Sequence, residues 1–238
     1  MPPLSSSKRE AVAALKRGEA VIFPTETVYG LGVSVEAAAS PEALYDLKER
    51  DRGKPVSWLV GGVDDLDRYG AHVPDLARRL ARAYWPGPLT LIVEASDAVP
   101  AAFRSAAGSI GLRMPDNDTA LELIEAVGCP LATTSANISG LQAPGAFDAL
   151  DPALAACVGV VVPDDTDDDK SGVASTVLDC TVNPPRILRE GAVAEADIRA
   201  VRSLSAAAAA VRRALRIRPP CPHAPLFWHR FTARFSAH

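Results

Sequence analysis

Short apolar runs alternate irregularly with amphipathic segments along the chain. The apolar runs, which end at glycine, proline or polar clusters, predict β-strands at Ala20–Phe23, Leu31–Val35, Val56–Val60, Leu89–Glu94, Ser109–Met114, Leu131–Thr134, Val158–Val162, Thr176–Asp179 and Ile187–Leu188. Helical periodicity predicts α-helices at Ser5–Arg17, Asp64–Tyr69, Pro74–Tyr84, Asn117–Val127 and Val193–Ile217, and a helix that Ser40 caps and Pro41 starts, with Lys48 and Arg50 at its end. Because strands and helices do not follow a strict βαβ repeat, the pattern predicts an α/β fold with a twisted sheet of mixed strand direction flanked by helices.

The composition restricts the kind of protein. With 238 residues, of which 48% are hydrophobic, the chain can bury one substantial core. The net charge of −4 hides an asymmetry, because eight arginines and no acid follow Asp197. A non-specific polyanion binder would be basic in its binding domain, and the aromatic content of 5% argues against a base-stacking surface for nucleic acid.

Cysteine, histidine and the amino terminus point to a cytoplasmic protein. The four cysteines form no CxxC pair and the histidines lie mostly near the C-terminus, so we expect neither a metal site nor a disulfide framework. Met1–Lys8 has no apolar signal region, and no run of about 18 apolar residues suggests a membrane span.

Three regions are predicted along the chain. Residues 1–192 carry all the candidate chemistry and form the catalytic domain, and residues 193–217 form an alanine-rich helix. Residues 218–238 are basic and show no periodicity, which favours a disordered tail over one that docks on a partner or on an acidic surface.

Polar clusters follow several of the predicted strands. Residues 24–32, PTETVYGLG, leave a strand at Pro24, which cannot donate to a ladder, and residues 133–140, TTSANISG, follow another apolar run. Residues 48–55 carry four cations. These cations could form an ordinary solvated helix end, but the turn at Gly53–Pro55 favours convergence on one anion such as a triphosphate.

Several standard motifs are absent or incomplete. Gly140–Gly145 lacks the Lys and Ser/Thr of a P-loop, and no GxGxxG occurs. Ser5–Lys8 and Ser135–Asn137 match two elements of penicillin-recognising acyltransferases, but the KTG partner is missing. The acidic run Asp164–Asp169 lacks the glycine and distal glutamate of a calcium loop and is interpreted as a solvated loop.

Six ordered motifs together resemble the YrdC/Sua5 family over about Lys8–Ala192. They are PTETVYGLG at residues 24–32, KxRxxxKP at 48–55, WPGPLT at 85–90, SANISG at 135–140, STVLD at 175–179 and RILREG at 186–191. The resemblance implies a mixed sheet around a large basic cavity. It also implies L-threonylcarbamoyladenylate synthesis from L-threonine, bicarbonate and ATP, with Mg²⁺ accompanying ATP, for the threonylcarbamoyl modification of adenosine in tRNA.

The resemblance also assigns site residues. It implies a catalytic tetrad of Lys48, Arg50, Ser135 and Asn137, and no protein ligand to a metal. The implied ATP contacts are Arg50, Lys54, Ser109, Ser135 and Arg189. The implied threonine contacts are Thr27, Arg113, Thr133 and Ser175. Two positions depart from some family members, which have histidine where this chain has Leu59 and serine where it has Ala143. The chain is also too short beyond Ala192 for the second domain of the family's longer branch.

Carbamate formation followed by attack on the α-phosphorus needs positioning and charge neutralisation more than a protein nucleophile. Expected partners are the downstream tRNA threonylcarbamoyl transferase complex and a weak contact with tRNA. Two other functions stay open: an RNA-binding module, which the acidic body disfavours, and the carbamoyl-adenylate-forming domain of hydrogenase maturation factors, which normally lies in a longer chain with zinc-finger-like cysteines.

Overall fold

The computed structural model describes residues 4–164 and 170–202. Its helices are α1 Ser6–Lys16, α2 Glu42–Lys48, α3 Asp65–Tyr69, α4 Asp75–Tyr84, α5 Asp118–Val127 and α6 Pro152–Ala156. Its strands are β1 Val21–Phe23, β2 Gly30–Ser34, β3 Ser57–Leu59, β4 Gly70–Ala71, β5 Leu89–Ala95, β6 Ser109–Arg113, β7 Leu131–Ser135, β8 Val160–Val161, β9 Thr176–Asp179 and β10 Arg186–Arg189. Two 3₁₀ turns lie at Ala101–Phe103 and Phe147–Ala149, and residues 195–202 are helical.

The strands form one ten-stranded sheet in the order β10-β9-β5-β6-β3-β7-β2-β1-β8, with β4 paired to β5. The pairs β1–β8, β3–β6 and β5–β9 are parallel and the remaining pairs are antiparallel. The predicted sheet of mixed direction is therefore confirmed.

The central strands have one apolar and one polar face. Leu91, Leu112, Trp58, Ala132 and Leu178 point to the same side and belong to the main hydrophobic core. Their neighbours along each strand point to the opposite side, because successive side chains of a strand alternate between the two faces. The polar face is where the candidate site forms.

Helices α1 and α5 cover a second, smaller core. Ala11 and Leu15 of α1 pack with Leu123 of α5 and Phe23 of β1. The Ser5 side chain accepts a hydrogen bond from the Lys8 N–H and caps α1.

The start of α2 differs from the prediction. Pro41, not Ser40, occupies the N-cap position, and no side chain caps the helix. The Ser40 hydroxyl accepts the Glu42 N–H at 3.4 Å, so it caps the turn that precedes the helix.

The chain between Leu150 and Lys170 also departs from expectation. Asp151 caps α6 and Pro152 follows it, a start signal that was present in the sequence but led to no prediction. The predicted solvated loop at Asp164–Asp169 is wrong for Asp164, whose side chain is 4% exposed and lies 2.5 Å from the Lys170 ammonium. Residues 165–169 lie outside the described residues, as do most of the predicted helix 193–217 and all of the tail 218–238.

Within residues 4–164 and 170–202, no helix is both long and apolar enough to span a bilayer.

Candidate active site

A cavity of about 560 Å³ lies over the polar face of the sheet, a size typical of small-molecule sites. Most of its floor comes from alternate residues of the central strands, namely Thr90 and Ile92 of β5, Ser109, Gly111 and Arg113 of β6, Ser57 and Leu59 of β3, Thr133 and Ser135 of β7, and Val177 and Asp179 of β9. The period of two that builds the apolar core on one face therefore builds the site on the other.

Small residues on this floor leave room for the cavity. Gly111 pairs with Ile92 on β5 and with Ser57 on β3, at the middle of the floor. A Cβ atom added at Gly111 would lie 3.1 Å from the Ser57 hydroxyl oxygen. Larger side chains at these positions would fill the cavity.

The predicted threonine contacts come from separate elements that the fold brings together. The Arg113 guanidinium donates from Nη2 to the Thr27 hydroxyl at 3.1 Å and from Nε to the Gly87 carbonyl at 3.2 Å. The Ser175 and Thr90 hydroxyls are 3.0 Å apart, and the Thr133 hydroxyl donates to the Ser57 carbonyl at 3.2 Å. Thr27, Arg113, Thr133 and Ser175 are all buried and all line the cavity.

Glu26 supports Arg113 from behind. Its Oε2 lies 2.6 Å from Arg113 Nη2, and its Oε1 has no hydrogen-bond partner among the described residues. The Glu26 backbone carbonyl accepts the Ser171 N–H at 3.0 Å, which ties the segment to the chain before β9. The carboxylate thus balances one of the cavity's positive charges.

Arg189 reaches the same part of the cavity from β10. Its guanidinium donates to the Ser175 carbonyl at 2.8 and 3.0 Å and to the Ser175 hydroxyl at 3.0 Å. Burial lowers the pKa of Arg189, and the neighbouring Arg113 and Arg50 guanidiniums lower it further. Mutual repulsion of these three cations is a cost that a bound anion would relieve.

Lys48 lies beneath the Ser135–Asn137 segment and is 1% exposed. Its ammonium donates to the Ser135 carbonyl, to the Ser135 hydroxyl at 3.4 Å and to Asn137 Oδ1 at 3.3 Å. Asn137 in turn donates from Nδ2 to the Ile138 and Leu141 carbonyls. Burial lowers the pKa of Lys48 to about 8, and Arg50 contributes to the shift. The lysine therefore holds the shape of this segment.

Arg50 lines the cavity, whereas the next two cations of the same segment, Arg52 and Lys54, do not. Its guanidinium donates to the Thr134 hydroxyl at 3.3 Å and to the Lys54 and Pro55 carbonyls at 3.3 and 3.2 Å. Arg52 faces outward in ion pairs with Glu42 and Asp46. Lys54 is exposed, although the next residue, Pro55, lines the cavity.

Ser105, Ser109, Asp179 and Thr181 line one part of the cavity, which we call the serine–aspartate corner. The Ser105 and Ser109 hydroxyl oxygens are 2.7 Å apart. The Asp179 carboxylate accepts hydrogen bonds from the Thr181 N–H and hydroxyl.

The two departures from the family pattern, Leu59 and Ala143, also line the cavity. Both contribute apolar surface to the lining.

Several site residues were not assigned from the sequence, namely Glu26, Ser57, Thr90, Ser105, Thr134, Asp179 and Thr181. Glu26, Thr90 and Asp179 lie inside quoted motifs, so the alternation of polar and apolar residues around them was an available signal. Ser105 and Thr181 lie outside every motif, and only the packing of the loops places them.

Comparisons with known proteins identify the family of this chain. The family model Sua5_yciO_yrdC, described as "Telomere recombination", matches residues 13–191. A Mycobacterium leprae protein, named provisionally as a threonylcarbamoyl-AMP synthase, is 42% identical over 188 residues, which cover 79% of this chain and 84% of that protein. The threonylcarbamoyl-AMP synthase of Bacillus subtilis is 34% identical over 193 residues, which cover 81% of this chain and 55% of that protein. This chain therefore matches about half the length of the B. subtilis enzyme.

Solved structures show the same fold. Pyrococcus abyssi Sua5 complexed with L-threonine superposes with a TM-score of 0.74 at 32% identity, covering 82% of this chain and 56% of that one. Escherichia coli YciO gives a TM-score of 0.69 at 25% identity, covering 81% of this chain and 92% of that one. By the sequence match and the shared fold, this chain belongs to the Sua5/YciO/YrdC family.

Proposed function

We propose that this protein is an L-threonylcarbamoyladenylate synthase, a nucleotidyltransferase that converts L-threonine, bicarbonate and ATP into threonylcarbamoyl-AMP and pyrophosphate. The observation that carries the proposal is one cavity in which Arg50, Arg113 and Arg189 meet hydroxyl groups from several strand ends. No cysteine or histidine is among the described lining residues. That set of groups suits binding and charge neutralisation rather than covalent catalysis.

In this proposal, Thr27, Arg113, Thr133 and Ser175 bind the amino acid. Arg113 suits the substrate carboxylate because a guanidinium can donate two parallel hydrogen bonds to it. The family relationship supports this placement, since the P. abyssi relative was solved with L-threonine.

The nucleotide then lies against Arg50, Ser109, Ser135 and Arg189 in the cavity, and the exposed Lys54, outside the cavity lining, is its fifth contact. The threonine nitrogen attacks the bicarbonate carbon and water leaves, and a carbamate oxygen then attacks the α-phosphorus of ATP as the bond to pyrophosphate breaks. Arg50 and Arg189 neutralise the charge that develops on the phosphates. Lys48 acts as a positioning residue, because it contacts Ser135 and Asn137 rather than the cavity.

Mg²⁺ fits the site as a companion of ATP. The described lining contains one carboxylate, Asp179, and it lies in the serine–aspartate corner rather than among the arginines. Because Mg²⁺ retains waters and binds substrate phosphates readily, it needs few protein ligands here. When bound, the ion would neutralise phosphate charge.

We further propose that the enzyme works in the cytoplasm, passes its product to a tRNA threonylcarbamoyl transferase complex and makes a weak contact with tRNA. We propose only a weak contact with tRNA because the net charge of the chain is −4, and strong binding of a polyanion needs a basic surface.

Pyrophosphate release tests the reaction. We expect release from ATP when L-threonine and bicarbonate are both present, and background release when either is withheld. Mass spectrometry should identify threonylcarbamoyl-AMP. Equal release without threonine would contradict the proposal.

Amino-acid selectivity tests the threonine site. Thr27, Thr133 and Ser175 are nearly buried hydroxyls, so a substrate that lacks a hydroxyl leaves polar groups unpaired. We expect valine to be rejected by roughly 10⁴ relative to threonine, and serine to remain a poor but measurable substrate because it lacks only a methyl group. The measurement is kcat/KM for each amino acid, and valine outperforming serine would show that these hydroxyls do not surround the substrate side chain.

A further inference from the structure

The cavity is polarised. Its three described lining cations are Arg50, Arg113 and Arg189, and the charges of Arg50 and Arg113 both act on Arg189. The serine–aspartate corner contains a carboxylate and hydroxyls instead. An anionic part of a ligand suits the arginines, and an uncharged part rich in hydrogen-bond donors suits the corner.

The two regions are well separated along the strands. Asp179, at the end of β9, lies four positions beyond Ser175. On β6, which is two strands away, Ser109 lies four positions before Arg113. At about 3.3 Å per residue, each pair is about 13 Å apart along its strand. A ligand whose amino-acid part sits at Arg113 and Ser175 must therefore be long to reach the corner.

Asp179 has one carboxylate oxygen committed to the protein and one available. Oδ1 accepts the Thr181 N–H at 3.0 Å and the Thr181 hydroxyl at 2.6 Å, which fixes the side chain. Oδ2 accepts no hydrogen bond from the described residues. Arg186 Nη2 is 4.0 Å from it, beyond hydrogen-bond distance, and the Arg186 side chain is 70% exposed, so this ion pair is weak.

We infer that Asp179 binds the ribose of the nucleotide by accepting a hydrogen bond from a 2′- or 3′-hydroxyl at Oδ2. An ionised carboxylate offers only acceptors, so it repels phosphate and selects a donor. The adjacent ribose hydroxyls present two donors to one carboxylate, as in dinucleotide-binding folds. The inference rests on the proposed function for the identity of the nucleotide, and it adds a binding residue that the family motifs did not assign.

Nucleotide analogues test the contact. We would measure kcat/KM for ATP, 2′-deoxy-ATP and 3′-deoxy-ATP in the unmodified protein and in Asp179→Asn, which keeps an acceptor for Thr181. We expect the unmodified protein to prefer ATP over at least one deoxy analogue by roughly 10- to 100-fold, the range for a hydrogen bond to a charged group. In Asp179→Asn this ratio should fall to near 1, mainly through a lower efficiency with ATP.

Controls separate this role from others. Asp97→Asn removes a carboxylate whose side chain is fully exposed, and it should leave the ratio unchanged. Asp179→Ala, whose folding is checked by thermal melting, should also bring the ratio of kcat/KM for ATP to that for the deoxy analogue to near 1. Two results would overturn the inference: a ratio that persists in Asp179→Asn, or a defect of this variant that excess Mg²⁺ corrects.

The test remains informative if the proposed reaction is wrong. Calorimetric binding of ATP and the deoxy analogues needs no turnover, so discrimination at Asp179 can be measured without threonine. Absence of threonine-dependent pyrophosphate release alongside the expected binding ratio would reject the proposed function alone. Release without any ribose discrimination in the unmodified protein would reject the inference alone.

Discussion

The two halves of the cationic segment 48–54 have the same kind of sequence but different environments. Lys48 is buried beneath Ser135 and Asn137, and Arg50 is half-buried and lines the cavity. Arg52 is exposed and paired with acids of α2, and Lys54 is exposed. Charge density along the sequence therefore does not show which cations face a ligand.

The backbone conformation at the end of α2 explains why Arg50 faces the cavity. Glu49 adopts the left-handed conformation with φ 51° and ends α2, and the Arg50 N–H returns to the Tyr45 carbonyl at 2.9 Å. This is the hydrogen bond of a Schellman motif that spans the larger number of residues. Such a motif usually has glycine at the left-handed position. The reversal turns Arg50 toward β7, where it meets Thr134.

Replacing the buried lysine should give the largest effect. In Lys48→Met, the Ser135 carbonyl and the Asn137 amide lose their common donor, and the segment shifts. We expect kcat/KM to fall by roughly 100-fold, the scale for a displacement of about 1 Å in a catalytic site. Steady-state pyrophosphate release would measure it, with Arg52→Met as the control. Equal activity of the two variants would mean that Lys48 does not position the segment.

The comparison between Arg50 and Arg52 should give the next effect. Arg50→Ala removes a charge-assisted contact to phosphate, worth about 1.5–3 kcal/mol, and should lower kcat/KM by roughly ten- to a hundredfold. Arg52→Ala removes only exposed ion pairs and should stay within about twofold of the unmodified protein. If both variants lost activity equally, the environments seen in the structure would not control function.

Lys54 offers a smaller test. Because its side chain is exposed, water and salt screen its contact with a phosphate. We expect Lys54→Ala to lower kcat/KM by roughly two- to tenfold, with the loss shrinking as ionic strength rises. A loss that does not change with salt would indicate a contact closed off from solvent.

The pH dependence of stability should show the smallest effect. The pKa of Lys48 is lowered from 10.5 to about 8 in the folded protein. Between these values the unfolded chain holds a proton that the folded protein has released, so raising the pH favours folding. Denaturant unfolding between pH 8 and 10.5 should show the unmodified protein gaining stability relative to Lys48→Met. A constant difference would mean that Lys48 keeps its proton when folded.

The sequence predicted the strands well because each is a compact apolar run with clear ends. Thr176–Asp179 matches β9 as predicted, and Ser109–Met114 differs from β6 by one residue. Helix α6 and the two-residue β4 were missed because they are short, and short elements carry little periodic signal. The N-cap of α2 was misplaced by one position because Ser40 and Pro41 both carry start signals.

By itself, the sequence determined the family, the mixed sheet and the motifs that supply the site, since ordered motifs and alternating polarity are local properties of the chain. Only the tertiary structure decided which polar groups share the cavity. Thr27 and Arg113 are far apart in the chain but are joined by a hydrogen bond, and Asp179 and Ser109 line one cavity although β5 separates β9 from β6. Strand order, the face of the sheet and the turn at Glu49 determine which side chains lie together. All three depend on how distant segments of the chain pack.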